Sequence, residues 1–330
     1  MSTPVSRRAT LTFALASALA LTTAACGTPD DEETGPAGNA GPGTKGRKVD
    51  LSPEQKKRVR AAKVGAIARL VPERVRSRGT LEVVASAGSV PPLTFYATDD
   101  KTVIGVETDI AHLVADVLGL RVKLHAVDWA NIFVGLDSGK YDVGFSNITV
   151  TEERKEKYDF ATYRLDTIAF EAKKSRGWKV KGPKDVAGRV IGVSSGTNQE
   201  KLLVDWSKQN VKAGRKATEI KYFQNTSDYY LALGSGRIDA YLGPNPVAAY
   251  HAASTGKYEV IGTFSGAGDR LQGKIAATTK KDNGLIEALH KALQHLIDDG
   301  AYAKVLEHWG LGDEAVRASE LNPKGLPKTS

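Results

Sequence analysis

Sulfur is nearly missing from this chain: among 330 residues there is one cysteine, Cys26, and one methionine. A single cysteine cannot close an internal disulfide, and no thiolate cluster for zinc can be built from it. The six histidines never fall at HxxxH spacing, so no metal site and no cofactor is expected. After the first thirty residues there is no apolar run of about 20 residues, the length a spanning helix needs. No stretch interleaves aromatics with arginines, so nucleic acid is not expected as a partner.

What is present fits a globular body. The length allows two lobes of roughly 100–150 residues. Hydrophobic residues make up 41% and charged residues 25%, ordinary proportions for a soluble fold. The net charge is +8, or +6 without Arg7 and Arg8. Such a balance could suit anionic ligands or an anionic cell surface, but a solvated lysine-rich surface is the plainer explanation.

The first fifty residues read as an address and a tether. Arg7 and Arg8 precede the apolar run Leu11 to Leu21, the pattern of an export signal over residues 1–26. The segment ends Thr22-Thr23-Ala24-Ala25-Cys26-Gly27, which resembles a bacterial lipobox with Thr23 in the place of the usual leucine. That resemblance implies lipidation at Cys26 and anchoring at the outer face of the cell membrane. Ser6-Arg7-Arg8 hints at twin-arginine export, but the rest of that motif is missing and the Sec route is expected. Residues 27–50 are rich in Gly, Pro and acids and predict a flexible linker. Ser52-Pro53-Glu54 then has the chemistry of a helix start, and the segment 51–78 is expected to hold an N-terminal helix running through Arg69.

The body alternates strand and helix. Strand patterns at 80–85, 122–127 and 141–145 enclose helical patterns from Asp109, stopped by Gly119, and from Trp129, stopped by Gly139. A short extended piece is expected at 104–107. A second series follows, with strands at 190–193, 220–223 and 238–242 and helices after Asn198, Ser227 and Val247. Gly-Lys-Tyr-Asp-Val-Gly (139–144) and Gly-Arg-Ile-Asp-Ala-Tyr (236–241) hold the same place in each series. This predicts two similarly built α/β lobes, each a mixed, mostly parallel sheet flanked by helices. Ligands of open α/β sheets bind beyond the carboxyl ends of the strands, so facing lobes would form a cleft. A strand at 274–278 and two amphipathic helices return to the first lobe. The assignment is lobe 1 over 79–170 plus 274–312 and lobe 2 over 171–273, with hinges near 168–174 and 270–276. A polar tail, 313–330, is expected to fray.

The chain resembles family 3 of the bacterial extracellular solute-binding proteins, the polar amino-acid type. Gly105-Val106-Glu107-Thr108-Asp109-Ile110-Ala111, Leu136-Asp137-Ser138-Gly139-Lys140-Tyr141-Asp142, Thr149-Val150-Thr151-Glu152-Glu153-Arg154 and Tyr158-Asp159-Phe160-Ala161 are similar to its first-lobe motifs. Ser195-Gly196-Thr197, Gly236 to Ala240, Asp299 to Tyr302 and Trp309-Gly310 are similar to later ones. The resemblance implies the two-lobed periplasmic-binding-protein-like fold, type II. It also implies a monomeric, non-catalytic receptor that delivers a small carboxylate-bearing ligand, an amino acid or related compound, to ABC permease subunits.

It further implies a site. Arg154 would grip the ligand carboxylate, with the Thr149 hydroxyl and backbone N–H groups near Asn147 assisting. Thr197 and Asn198 would present a helix N-terminus, Trp129 an aromatic face, and Ser194, Gly243 and Asn245 would complete the cleft. Two positions depart from the family. Val90 stands where an aromatic is usual, and Pro244 stands where an aspartate receives the ligand's ammonium. Asp166 or Asp269 could serve instead, or the ligand is an acid without that ammonium. Alternatives are a cyclohexadienyl or prephenate dehydratase-like enzyme, for which Glu107 is the nearest acid, and a ligand-sensing subunit of a membrane receptor.

Overall fold

The computed structural model describes residues 49–88, 91–269 and 271–328. The export segment, Cys26 and its expected lipidation, the linker up to residue 48, and Val90 lie outside the described residues, as does the side chain of Asp269. No helix among the described residues is long and apolar enough to cross a membrane.

Two short helices, α1 (Gly65–Ala68) and α2 (Glu73–Arg78), lead into strand β1 (Thr80–Ser86). A small ribbon of β2 (Phe95–Tyr96) and β3 (Val103–Ile104) precedes α3 (Val106–Leu118), β4 (Arg121–Val127), α4 (Trp129–Asp137) and β5 (Val143–Gly144). β1 lies between β4 and β5 and is parallel to both. Parallel neighbours need crossovers, and α3 and α4 supply them. After β6 (Tyr158–Lys173) the plan repeats with β7 (Val190–Val193), α5 (Asn198–Lys212), β8 (Glu219–Tyr222), α6 (Thr226–Ser235), β9 (Ala240–Pro244) and α7 (Asn245–Thr255). Here β7 lies between β8 and β9, again parallel to both. β10 (Tyr258–Asp269) and β11 (Gly273–Lys280) run back, and α8 (Ile286–Asp298) and α9 (Ala301–Trp309) close on the first lobe.

Each lobe has its own core. In the first, Ile110, Leu113, Val114 and Val117 of α3 share one buried cluster with Leu289 and Leu293 of α8 and Trp309 of α9. Each such side chain gains about 1.5–3 kcal/mol on leaving water. In the second, Phe170 stacks on Trp206 at 5.8 Å, and Phe264 meets Trp206 edge-on at 5.0 Å.

β6 joins the two lobes. From Tyr158 to Asp166 it pairs antiparallel with β11, and from Thr167 to Lys173 it pairs with β10. β9 takes its other edge at Ile168–Glu171. The exchange of partners therefore falls between Asp166 and Thr167, slightly before the stretch expected to hinge. Sequence pattern did not mark β6 or β10 as strands. In β6 the buried faces carry Arg164, Asp166 and Glu171, which read as solvent positions until their partners are known.

Three expectations need correction. The helix over 52–64 does not form. Gln55 adopts a φ of 42° and its buried amide bonds the carbonyls of Asp50 and Ser52, closing a turn instead. The stretch lacks an apolar stripe to bury as a helix, and an extended course suits its arginines. Arg58 reaches Asp109 at 2.7 Å and Arg60 reaches Asp116 at 2.5 Å. Secondly, α3 begins at Val106 rather than Asp109. The carbonyls of Pro92 and Leu93 accept the N–H groups of Val106 and Glu107, which a helix start leaves without internal partners. Thirdly, the tail does not fray. The chain at Glu320 and Asn322 bonds the free edge of β6 at Thr162 and Phe160, and Leu326 bonds Val150 and Glu152. An uncovered strand edge with unpaired N–H and C=O groups is a liability, and the tail covers it.

Candidate functional site

Between the lobes lies a cavity of about 170 Å³. The first lobe lines it with Ser86, Thr94, Asp128, Trp129, Ser146 and Asn147. The second contributes Ser194, Thr197, Asn198, Gln199 and Gly243, together with Gln224, Asn225, Tyr229, Tyr241 and Pro244. These positions cluster at the carboxyl ends of parallel strands and the helix starts that follow, as the topology requires. Six of the expected residues thus come together there: Trp129, Asn147, Ser194, Thr197, Asn198 and Gly243. Arg154, Thr149 and Asn245 are not in its lining.

Arg154 opens a 3-10 turn, Arg154–Glu156, where its N–H bonds the Thr151 hydroxyl at 3.0 Å. Its side chain spans the lobe junction. Nη1 donates to the carbonyl of Thr149 at 2.9 Å in the first lobe and Nη2 to that of Gly196 at 3.2 Å in the second. The guanidinium carbon lies 5.3 Å from the Trp129 ring and 5.2 Å from that of Phe133, within cation–π range. Burial draws its pKa down to about 10 against the pull of Asp166, so it stays cationic at neutral pH.

Thr149 is differently engaged than expected. Its hydroxyl donates to Asp166 Oδ2 at 2.9 Å and lies 3.2 Å from Asn198 Oδ1, so its one proton is committed inside the protein. Asn198 Nδ2 donates to the same Asp166 oxygen at 3.1 Å. Asp166 is therefore the knot where β6 passes between lobes, gripped by a residue of each. It does not line the cavity, and its Oδ1 is buried without a partner. Burial raises its pKa, against the Thr149 hydrogen bond and the nearby Arg164 and Arg154. Gly266 is required beside it, since a Cβ there would stand 2.0 Å from Oδ2.

In the second lobe the Thr197 hydroxyl accepts from Glu200 N–H at 3.2 Å and donates to the Ser194 carbonyl at 2.7 Å, capping α5. The first N–H groups of that helix have no partner within it. Ser194 Oγ bonds the Tyr241 hydroxyl at 2.8 Å. Pro244 lines the cavity at the end of β9, and half-buried Asn245 begins α7 outside the lining.

Sequence reasoning missed Asp128, the sole acidic residue among the described lining, and the amides of Gln199, Gln224 and Asn225. Their position just beyond strand ends was the available signal. Asn225 caps α6 through Asp228 N–H at 2.9 Å, and such residues before a helix read as caps. Asp128 also holds an N-cap position, yet its carboxylate makes no capping bond. Among the described residues there is no cluster able to hold a metal.

Behind the cleft lies a buried polar network. Arg164, 1% exposed, bonds Glu107 at 2.6 Å, Asn147 Oδ1 at 2.5 Å and Glu314. Tyr163 donates to Glu107, and Thr167 donates to Glu314. Burial opposes the charge on Arg164, but Glu314 and Glu107 outweigh it and hold its pKa above the ordinary value. Glu107, the acid considered for catalysis, is fixed there and does not line the cleft.

Two similarly wound α/β lobes, joined by β6 and the β10–β11 return with a polar cleft between them, define a two-lobed binding protein of the type II periplasmic fold. The chain belongs to the bacterial extracellular solute-binding proteins, family 3, which it matches over residues 83–312. It is 30% identical over 237 residues to the L-cystine-binding protein TcyJ of Escherichia coli K12, covering 72% of this chain and 84% of that protein. It is 29% identical over 265 residues to the arginine-binding protein ArgT of Corynebacterium glutamicum, covering 80% and 84%. Among solved structures, an ancestral arginine-binding protein bound to arginine superposes with a TM-score of 0.61 at 31% identity, covering 70% of this chain and 98% of that one.

Proposed function

We propose that this protein is the exported, lipid-anchored receptor of an ABC importer, holding an amino acid or related carboxylate between hinged lobes. The observation that carries this reading is the guanidinium of Arg154. It sits at the lobe junction, bonds carbonyls of both lobes, and has no carboxylate partner among the described residues. Of its five N–H donors, three remain for a ligand. A half-buried cation without a counter-charge is unfavourable, and a ligand carboxylate received bidentately relieves it. The start of α5 adds N–H donors and the positive end of a helix dipole from the opposite lobe. Closure would then be driven by groups of both lobes sharing one anion, with bending at β6 and the β10–β11 return.

Pro244 cannot accept a ligand ammonium. Asp128 can: it lines the cavity and makes no cap. The amides of Gln199, Gln224 and Asn225 favour a ligand with further hydrogen-bonding groups. We assign Asp128 the cationic group of the ligand and Trp129 its apolar stem.

The test is a melting-temperature screen with the twenty standard L-amino acids, L-cystine, succinate and malate. A probe at about 100 times its Kd should add roughly 2.7 kcal/mol of stability. Arg154→Ala should remove the shift; binding that survives it unchanged would refute the site. If amino acids fail and the plain dicarboxylates succeed, the role given to Asp128 is wrong. The anchor is tested separately: Cys26→Ser should release the protein from the cell surface into the medium.

A further inference from the structure

The family match ends at residue 312, and the segment beyond it is built into the binding lobe. Glu314 lies on a 3-10 turn, Gly312–Glu314, and is 5% exposed. It accepts from Arg164 Nη1, while Nη2 is shared between Glu107 and Asn147 Oδ1. Asn147 lines the cleft and holds a φ of 52°, a left-handed backbone that asparagine tolerates better than most residues. A guanidinium has donors only, so the atom of Asn147 that faces it must be the carbonyl oxygen. The two Nδ2–H donors of the amide are then turned away from Arg164.

We propose that Glu314 is a positioning residue for ligand binding: by fixing Arg164 it fixes the carboxamide of Asn147, so that the cleft receives N–H donors from it and no acceptor. The consequence is chemical. Asn147 meets an oxygen of the ligand, a carboxylate or carbonyl, and cannot receive an ammonium. Two acids bracket Arg164 so that it cannot swing: Glu107 comes from α3 and Glu314 from the tail. Without Glu314, Arg164 can shift toward Glu107 and release the amide to rotate.

This inference rests on the proposed function for its affinity arm only. The first arm needs no ligand. The side-chain amide signals of Asn147 are identified in ¹⁵N spectra by their loss in Asn147→Asp. They should be dispersed in the parent and move toward free-amide positions, or broaden, in Glu314→Ala. Should that variant not fold, Glu314→Asp keeps the charge but draws the carboxylate back by one methylene, weakening the same contact, and should move the signals in the same direction. Unchanged signals in a folded variant would overturn the proposal.

The second arm measures, by calorimetry, the Kd of the best-binding amino acid of the screen. Glu314→Ala should weaken it roughly tenfold, about one hydrogen bond's worth. The same change made in Asn147→Ala should cost nothing further, because the group it positions is gone. A full additive penalty there means Glu314 acts by general stability, and the proposal fails. Asn147→Asp keeps a partner for Arg164 but offers the cleft an acceptor, so it should bind more weakly than Asn147→Ala; tighter binding would overturn the donor assignment. If no amino acid binds the parent, the functional reading fails while the spectroscopic arm still decides this one.

Discussion

Arg154 and Arg164 are both drawn in from solvent, and their surroundings are opposite. Arg164 is enclosed by two carboxylates and an amide, with its charge balanced inside the protein. Arg154 bonds only neutral carbonyls and lies against two rings. The results are opposite: the pKa of buried Arg164 is held above its ordinary value by its two acids, and that of half-buried Arg154 is drawn down to about 10. A cation already balanced can only brace. A cation left unbalanced at a lobe junction is open to a counter-charge from a ligand, which is the basis of the role proposed for Arg154.

The sharpest way to break this contrast is to remove each charge. Arg164→Met should cost about 3–5 kcal/mol, because Glu107 and Glu314 would be left buried without a cation. Denaturant unfolding measures this, and Arg164→Met combined with Glu107→Gln and Glu314→Gln should recover most of the loss. Arg154→Met should stay within about 1 kcal/mol of the parent in stability, since no carboxylate is orphaned, yet lose the ligand-induced melting shift. If the two single variants lost equal stability, the division between bracing and binding would collapse.

How far the sequence carried this contrast depends on distance along the chain. The repeated β-α-β plan was legible because apolar periodicity and helix-ending glycines such as Gly119 and Gly236 are local signals. The motif that carries Arg154 was legible because it is contiguous; the ligand role given to that residue is the proposal made above. The Arg164 network was not: its acids lie 57 residues before it and 150 after, and nothing local distinguishes them from solvated charges. The docking of the tail was hidden for a similar reason. Leu321 and Leu326 stand alone among polar residues, and their partners are an open strand edge that only the folded sheet creates. Thr149 shows a subtler limit: its hydroxyl was expected to serve the ligand, but which oxygen takes its one proton is decided in three dimensions, and that oxygen belongs to Asp166.

The smallest expected effect lies at Asp166, the acid that both arginines influence. Burial raises its pKa in the folded protein above the unfolded value. The folded state therefore binds the proton more readily than the unfolded chain. The stability linked to that proton is present below about pH 4, near the unfolded pKa, and is lost as pH rises through the folded pKa. Asp166→Asn keeps the shape and an acceptor oxygen for Thr149 and Asn198, while removing the ionisable proton. At neutral pH the variant should be as stable as the parent or more so, by up to about 1 kcal/mol. That advantage should shrink as pH falls toward 4, because the parent then becomes neutral at this position as well. Unfolding free energies of the two proteins compared from pH 4 to pH 7 measure the difference. A parent that gains on the variant as pH rises would mean that attraction to Arg154 and Arg164 outweighs burial, and that Arg154 already has its counter-charge in Asp166.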